Sequence, residues 1–524
     1  MSNGLTGLGT ARWRPLATAG IGVVLVGAGT CYLTFPLGYN QAIYHYMGSV
    51  LRNGGVPYEN FLDIKGPLGL WFYGLPGVLL GSSDKVYRLF DLCVMAAIGI
   101  GLYRLLRLSC SSFLALAGAF LWFIHVLLDG PGNTGDVTNL IALGVVTILF
   151  LLQRPGTKPF AAIGMVVAAV AWVKPTAILI VLPVILFYLL QDSRQGQRIW
   201  KDGARLLAGA TLMSLLMIGL LVGTGSFKSF YETVIIDALR TYLPRTQFVM
   251  RHNIQGIAKW LLHDPVFRIG GLLALFVAGR QARIYQVAVL GGLASVVVQS
   301  RFFPYHFSPI LPLLAVGLIL GWSKIATLQP RNKFGILSTV AVSLGCVLLL
   351  FQPLNLLATD LSTIHKARSR TDLAGLFLLS DLRNLYRSRL LVAKELRPLI
   401  NNRDNLTVVG GDVGIYLELN KLAPNRHGNP AAVLYDYHKK VQNSVRAKWR
   451  DEILASLAKG RSSWLIIDKN LWRHLDPGAK SALENDLHGR YKWRFNLGIY
   501  RVYRRIPPPA SGDLSLSPGK EKNR

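Results

Sequence analysis

Residues 16–34, LATAGIGVVLVGAGTCYLT, form an apolar run of 19 residues with Arg12 and Arg14 just before it. A helix rises about 1.5 Å per residue, so the run reaches roughly 30 Å, the hydrocarbon thickness of a bilayer. It is longer than the apolar region of a signal peptide, and no small-residue cleavage site follows it. It therefore reads as a retained first transmembrane helix.

Ten further runs of this kind lie near 86–103, 111–128, 137–152, 159–173, 175–190, 205–224, 267–279, 284–300, 306–321 and 335–353. With 51% hydrophobic and 16% charged residues and a mean hydropathy of +0.37, the chain needs lipid as a solvent. The expected fold is a polytopic α-helical membrane protein of about eleven spans. The formal charge of +30, from 57 Lys and Arg against 27 Asp and Glu, suits cytoplasmic loops and anionic lipid. No nucleic-acid motif accompanies it, so nucleic acid is not an expected partner. Cys31, Cys93, Cys110 and Cys346 lie in or beside apolar segments without CxxC spacing, which argues against a metal knuckle or a disulfide framework.

One apolar stretch breaks the series. Residues 66–81, GPLGLWFYGLPGVLLG, are short, rich in Gly and Pro, and aromatic at Trp71, Phe72 and Tyr73, which predicts a helix lying in the membrane interface. On that reading, alternate loops carry Arg12/Arg14, Arg104/Arg107, Arg154/Lys158, Arg194/Arg198/Lys201/Arg205, Arg280/Arg283 and Lys324/Arg331/Lys333. The opposite loops carry almost no Lys or Arg. The bias places the N-terminus in the cytoplasm and everything after about residue 355 outside.

The chain changes character there. The expected division is a transmembrane domain over 1–354, with outer loops at 36–85 and 225–266, then an extracytoplasmic α/β domain over 355–506 and a disordered tail over 507–524. Within the α/β part, helical patterns occupy 382–400 and 447–459, strands are predicted at 406–410 and 463–468, and residues 491–503 alternate.

Polar residues gather on the predicted outer face at five places. They are Gly38-Tyr39-Asn40-Gln41, the stretch from Tyr58 to Pro67 with Asp63 and Lys65, the loop ending in Asp136, Trp172-Val173-Lys174-Pro175-Thr176, and Arg301-Phe302-Phe303-Pro304-Tyr305-His306. Ionisable groups at membrane depth are costly and usually functional. Lys and Arg beside carboxylates suit a lipid-anchored phosphate: the cations pair with phosphate oxygens while a carboxylate activates an incoming hydroxyl.

The order of these features resembles the bacterial family 39 and related glycosyltransferases of the GT-C superfamily, which include protein mannosyltransferases and lipid A aminoarabinose transferases. The resemblance rests on Gly55-Val56-Pro57-Tyr58 with Asp63-Ile64-Lys65-Gly66-Pro67, on Trp172 to Thr176, on Arg301 to Pro312, and on Val408-Val409-Gly410-Gly411 with Ile415-Tyr416 and Arg426. It implies a GT-C-like membrane fold and inverting transfer of a sugar from a polyprenyl-phosphate carrier to a lipid, glycan or protein acceptor at the outer face of the cytoplasmic membrane. It also implies that Lys65 and Arg301 hold the carrier phosphate, with Tyr305 and His306 lining the same pocket; Tyr58 and Lys174 complete the expected substrate-binding set. Where the family has its principal catalytic Asp, this chain has Asn40, and an amide is no general base near neutral pH. Asp63 and Asp136 are the alternative carboxylates, with Asn40 orienting the acceptor. No cofactor is required by this reading, with a divalent metal as the alternative.

Each residue also has a plainer reading. Asp63 and Lys65 alone would be a solvated loop pair; Lys174 and Arg301 would be interfacial anchors; His306 a packing histidine; Asp136 a helix N-cap; Arg88 and Asp91 an ion pair on one helix face. Two competing functions remain, a non-catalytic scaffold of an envelope-polysaccharide complex, which Asn40 favours, and a lipid or sugar transporter.

Overall fold

The computed structural model describes residues 10–327, 349–367, 380–428 and 444–506, apart from 82, 129, 131–133, 192–195, 243–249, 352–353, 360, 459–461 and 476. The predicted eleventh span falls mostly outside the described residues, and the tail after 506 falls wholly outside them. The helices in chain order are α1 (Thr10–Thr34), α2 (Tyr39–Arg52), α3 (Pro67–Leu80), α4 (Asp84–Arg107), α5 (Ser112–Leu128), α6 (Thr138–Gln153), α7 (Phe160–Val173), α8 (Ile178–Gln191) and α9 (Gly196–Gly223). There follow α10 (Phe227–Phe230), which runs into a π-helical segment Tyr231–Tyr242, then α11 (Met250–His263), α12 (Pro265–Val277), α13 (Arg283–Gln299) and α14 (Leu311–Thr327).

The chain is a multi-pass membrane protein whose described helices follow the hydropathy runs. Three are long and apolar enough to cross a membrane on their own, and two bent pairs, α1 with α2 and α11 with α12, also qualify if each pair counts as one span. The α11–α12 bend is 105° and is held by side chains. Asp264 caps α12 through the Phe267 N–H at 3.4 Å and pairs with buried His125 of α5, while Arg268 donates to the Trp260 carbonyl at 2.6 Å.

α3 occupies the predicted helical stretch 66–81. Two stretches read as loops contain further helices: α2 lies in 36–85, and α10 and α11 lie in 225–266. The reason is burial by protein rather than lipid. The sequence of α2, YNQAIYHYMGSVLR, is polar and aromatic, yet nine of its residues are buried. α2 and α3 meet backbone to backbone: a Cβ on Gly48 would lie 2.5 Å from the Gly74 carbonyl and 2.7 Å from Gly77 Cα. Only glycines allow that approach, and hydropathy does not register it.

The C-terminal part comprises α15 (Ser380–Leu396), β1 (Leu406–Val409), α16 (Gly414–Glu418), α17 (Ser444–Ala458), β2 (Trp464–Asp468), α18 (Lys469–His474), α19 (Pro477–Arg490), β3 (Tyr491–Leu497) and β4 (Tyr500–Arg505). The strands form one sheet in the order β1-β2-β4-β3, with β1 and β2 parallel and the other pairs antiparallel. One sheet face, through Leu406, Val408, Trp464, Ile466, Tyr500 and Val502, joins the same core as the membrane helices. The other face, through Val409, Leu465, Ile467 and Tyr491, builds a smaller core with Ile453, Leu457 and Leu483 of α17 and α19.

Polar contacts fasten this part onto α2. Buried Arg389 pairs with Asp412 at 2.7 Å and donates to the Leu37 carbonyl at 3.0 Å. The Ala423 N–H donates to the Tyr46 hydroxyl at 2.7 Å, and the Leu62 N–H to the Arg426 carbonyl at 2.9 Å. Arg446 of α17 grips the buried Asp237 carboxylate at 2.7 and 2.9 Å.

Candidate active site

Beneath the predicted outer residues lies a buried polar hub. Asp91, fully buried on α4, accepts from the hydroxyls of Tyr32 and Tyr73, the latter at 2.7 Å, and from the Asn139 amide at 3.1 Å. Arg88, one turn earlier, donates to Tyr32 at 3.1 Å, to Gln41 at 3.1 Å and to the Phe35 and Pro36 carbonyls at 3.3 and 2.6 Å. The two residues read as a simple pair are thus linked through Tyr32 and organise the ends of α1, α2, α3, α4 and α6.

The hub sets the loop that carries Asp136. Gln41 donates to the Thr134 carbonyl, and Tyr87 donates to the Gly135 carbonyl at 2.6 Å. Gly135 has a φ of +70°, a conformation that L side chains rarely adopt. Asp136 itself is 3% exposed. Its Oδ1 takes the Thr138 N–H at 3.3 Å at the start of α6, as the capping role anticipates, while Oδ2 has no donor at bonding geometry.

Asn40, in the first turn of α2, lies close enough to Asp136 to favour its ionised form by side-chain hydrogen bonding. Burial pushes the Asp136 carboxyl up, and Lys65 and Lys174 draw it back down. Burial lowers the partly buried Lys174 ammonium to about 8, with Asp136 opposing and Lys65 reinforcing the shift. Lys174 in turn acts electrostatically on the buried His306.

The loop from Tyr58 to Gly66 is braced by its own hydrogen bonds. Lys65 pairs with Asp63 through Nζ at 3.1 Å and through its own N–H at 3.0 Å, and its ammonium stands 5.3 Å over the Tyr44 ring. Tyr58, expected to bind substrate, is fully buried and donates its hydroxyl to the Lys65 carbonyl at 2.6 Å, which ties the two ends of the loop together. Gly66 passes directly under α7: a Cβ there would lie 2.1 Å from the Trp172 carbonyl oxygen. The backbones carrying Lys65 and Lys174 are therefore in contact.

The fifth segment also arrives here. A 3₁₀ turn, Pro304–Phe307, carries Tyr305 and His306, whose rings meet edge to face at 4.5 Å. His306 Nδ1 contacts the Arg301 carbonyl, and since a carbonyl only accepts, the proton sits on Nδ1. A neutral imidazole used this way orders the turn that presents Arg301, in place of supplying a cation. Tyr44 experiences Asp136, Asp63 and Tyr305 together, which ties the first, second, third and fifth segments to one place.

Sequence reasoning missed Tyr44 and Asn139, and it quoted Gln41 without giving it a role. Gln41 and Tyr44 lie one and four residues beyond Asn40, but their roles needed the helical geometry of α2. Among the described residues, no three His, Cys, Asp or Glu side chains gather to hold a metal. Asp63 and Asp136 are flanked by lysines, a poor donor set for a divalent cation.

Residues 64–222 match the family model described as dolichyl-phosphate-mannose-protein mannosyltransferase. No curated protein matches the sequence. Among solved structures, the chain is similar to ArnT from Cupriavidus metallidurans bound to undecaprenyl phosphate, with a TM-score of 0.59 and 14% identity over 95% of this chain and 99% of that one. The apo form of the same protein gives a TM-score of 0.57 at 14% identity, with the same coverage. The matched segment holds the Lys65, Asp136 and Lys174 loops, and the shared fold extends over nearly the whole chain, which together bear out the resemblance to the GT-C glycosyltransferases.

Proposed function

We propose that the protein is an inverting glycosyltransferase that moves a sugar from a polyprenyl-phosphate carrier to an acceptor hydroxyl at the outer face of the cytoplasmic membrane. In this reading about eleven spans place the N-terminus in the cytoplasm and the α/β domain outside, as the Lys and Arg bias of the loops argues. The observation that carries the proposal is the gathering of Asn40, Lys65 and Lys174 around the buried Asp136 carboxylate. The likeness of the fold to a protein captured with undecaprenyl phosphate supports the choice of carrier.

Asp136 is the base. Its Oδ2 is uncommitted and burial raises its basicity, whereas both oxygens of Asp63 already accept from Lys65, in three hydrogen bonds. Asn40 orients the acceptor and steadies the carboxylate, which explains how an amide can stand where a carboxylate was expected. The acceptor hydroxyl gives its proton to Asp136 as its oxygen attacks the anomeric carbon from the face opposite the leaving group. The carbon–oxygen bond to the carrier breaks, and polyprenyl phosphate leaves with its charge met by Lys65, Lys174 and Arg301. Tyr305 lines the pocket. No step is routed through a metal.

The test is turnover by purified protein with a panel of polyprenyl-phosphate sugars. Loss of transfer in Asp136→Asn with carrier binding retained supports the assignment. Unchanged turnover removes it, and carrier binding without turnover in the unaltered protein favours the scaffold.

A further inference from the structure

The β3–β4 hairpin at the C-terminal edge of the sheet carries a charge pattern that the catalytic reading does not use. Residues 490–505 contain Arg490, Lys492, Arg494, Arg501, Arg504 and Arg505 and no Asp or Glu. Among the described residues, Lys492, Arg494, Arg504 and Arg505 have no carboxylate partner, and all four are exposed. Lys492 stands directly opposite Arg504 in the strand register, an arrangement of like charges that weakens a sheet. Trp493, opposite Tyr503, is 54% exposed.

Cations and the bulge between Trp493 and Phe495 are ordinary protection for an edge strand. An exposed Trp is not, because it adds the apolar surface that such protection exists to hide. Side chains alternate between the faces of a strand, so Trp493 shares its face with Tyr503, Arg501 and Arg505, while Lys492 and Arg504, the latter over the Trp464 ring, point to the other face. A flat aromatic ring with cations along the same face suits a ligand with apolar sugar faces and spaced negative groups.

Position selects the source of that ligand. The sheet touches the membrane helices at its other end, where Gly411 abuts Tyr39 and Ile499 donates to Ser388 beside Arg389, the residue bound to Leu37. Lys492 lies five residues along β3 from Leu497, about 16 Å away at the usual rise per residue. The basic end therefore points away from the contacts with the helical domain. We infer that the Trp493 end of the β3–β4 hairpin is a docking surface for an anionic polysaccharide in the outer aqueous compartment. This inference rests on the outward placement of the α/β domain proposed above and not on the transfer chemistry, so binding of polygalacturonate and turnover of a sugar donor can fail separately.

The experiment uses the full chain in nanodiscs of neutral lipid, titrated with polygalacturonate oligomers and with neutral dextran of the same length. Polygalacturonate is expected to bind and dextran not. Trp493→Ala should weaken binding about five- to tenfold, with recovery in Trp493→Phe, and Arg505→Glu, on the same face, should weaken it about tenfold or more. These positions are exposed, so each variant should keep the melting temperature of the unaltered protein. The inference is overturned if dextran binds equally, if the variants bind polygalacturonate as the unaltered chain does, or if Trp493→Ala has no effect while only the charge reversal does. It is also overturned if vesicles containing phosphatidylglycerol bind the same residues more tightly than polygalacturonate, which would make the surface a membrane contact.

Discussion

Replacing Gly66 with Ala adds one methyl group at the point where the two lysine-bearing segments cross. The Gly66 backbone, at φ −62° and ψ 146°, is open to any residue, so the substitution carries no conformational penalty and its effect is steric. The new Cβ would lie 2.1 Å from the Trp172 carbonyl oxygen and 2.5 Å from that of Val173. Ordinary carbon–oxygen contact needs roughly 3.3 Å, so the two backbones must part by about 1 Å. Both contacts are main chain, and no rotamer change relieves them. Overpacking of this kind costs about 1–3 kcal/mol of stability. A displacement of about 1 Å between groups that share a reacting phosphate lowers rate by about 100-fold. The assay is initial velocity of sugar transfer together with the melting temperature in detergent. Gly156→Ala serves as the control: its φ of +85° makes the substitution strained, but nothing lies within 4 Å of the added methyl and the loop is remote from Lys65. That variant should lose stability and keep its rate per folded molecule. A Gly66→Ala protein with turnover within twofold of the original would refute the claim that this crossing sets the distance between Lys65 and Lys174.

Asp136→Asn should lower kcat by about 100-fold or more, the usual contribution of a positioned base, while leaving carrier affinity within a few fold; equilibrium binding of the carrier separates the two quantities. The pH profile follows from the same residues. Burial raises Asp136 above the ordinary carboxylate range, so kcat/KM should fall on the acid side as the base protonates, at a higher pH than for a solvated carboxylate. Lys174 is held near 8, so kcat/KM should fall again as pH rises through about 8 and the ammonium is lost. Lys174→Arg should move that alkaline limb upward, because a guanidinium stays charged. Arg389→Met leaves the Asp412 carboxylate buried without its ion-pair partner and removes the bond to Leu37, so it should cost about 3–5 kcal/mol; limited proteolysis should then cut the α/β domain free faster than in the unaltered chain.

Much of this architecture is legible before folding is considered. Long apolar runs must cross lipid whatever their neighbours do, because unpaired backbone groups are too costly there, and the described helices follow those runs. The strands at 406–409 and 464–468 were visible as short apolar runs in a charged region. The positions of Asn40, Lys65, Asp136, Lys174 and Arg301 were marked by polarity next to apolar segments. Their chemistry was not separable at that level: Asp63 and Asp136 are equal candidates as letters, and Tyr58 is as plausible a ligand as Tyr305.

The tertiary structure distinguishes them through contacts that the order of residues does not specify. Lys65 occupies Asp63, Lys65 receives the Tyr58 hydroxyl on its carbonyl, and Asp136 is left with one uncommitted oxygen beside Asn40, 96 positions earlier. The α2 helix and the glycine contacts at Gly48 and Gly66 belong to the same class, since a backbone-to-backbone approach depends on the partner segment and leaves no periodicity in either one. Hydrophobicity is a property of each residue and determined which segments enter the membrane. Desolvation and hydrogen-bond commitment are properties of an assembled neighbourhood, and they separate Asp136, with one oxygen free of donors, from Asp63, which Lys65 engages.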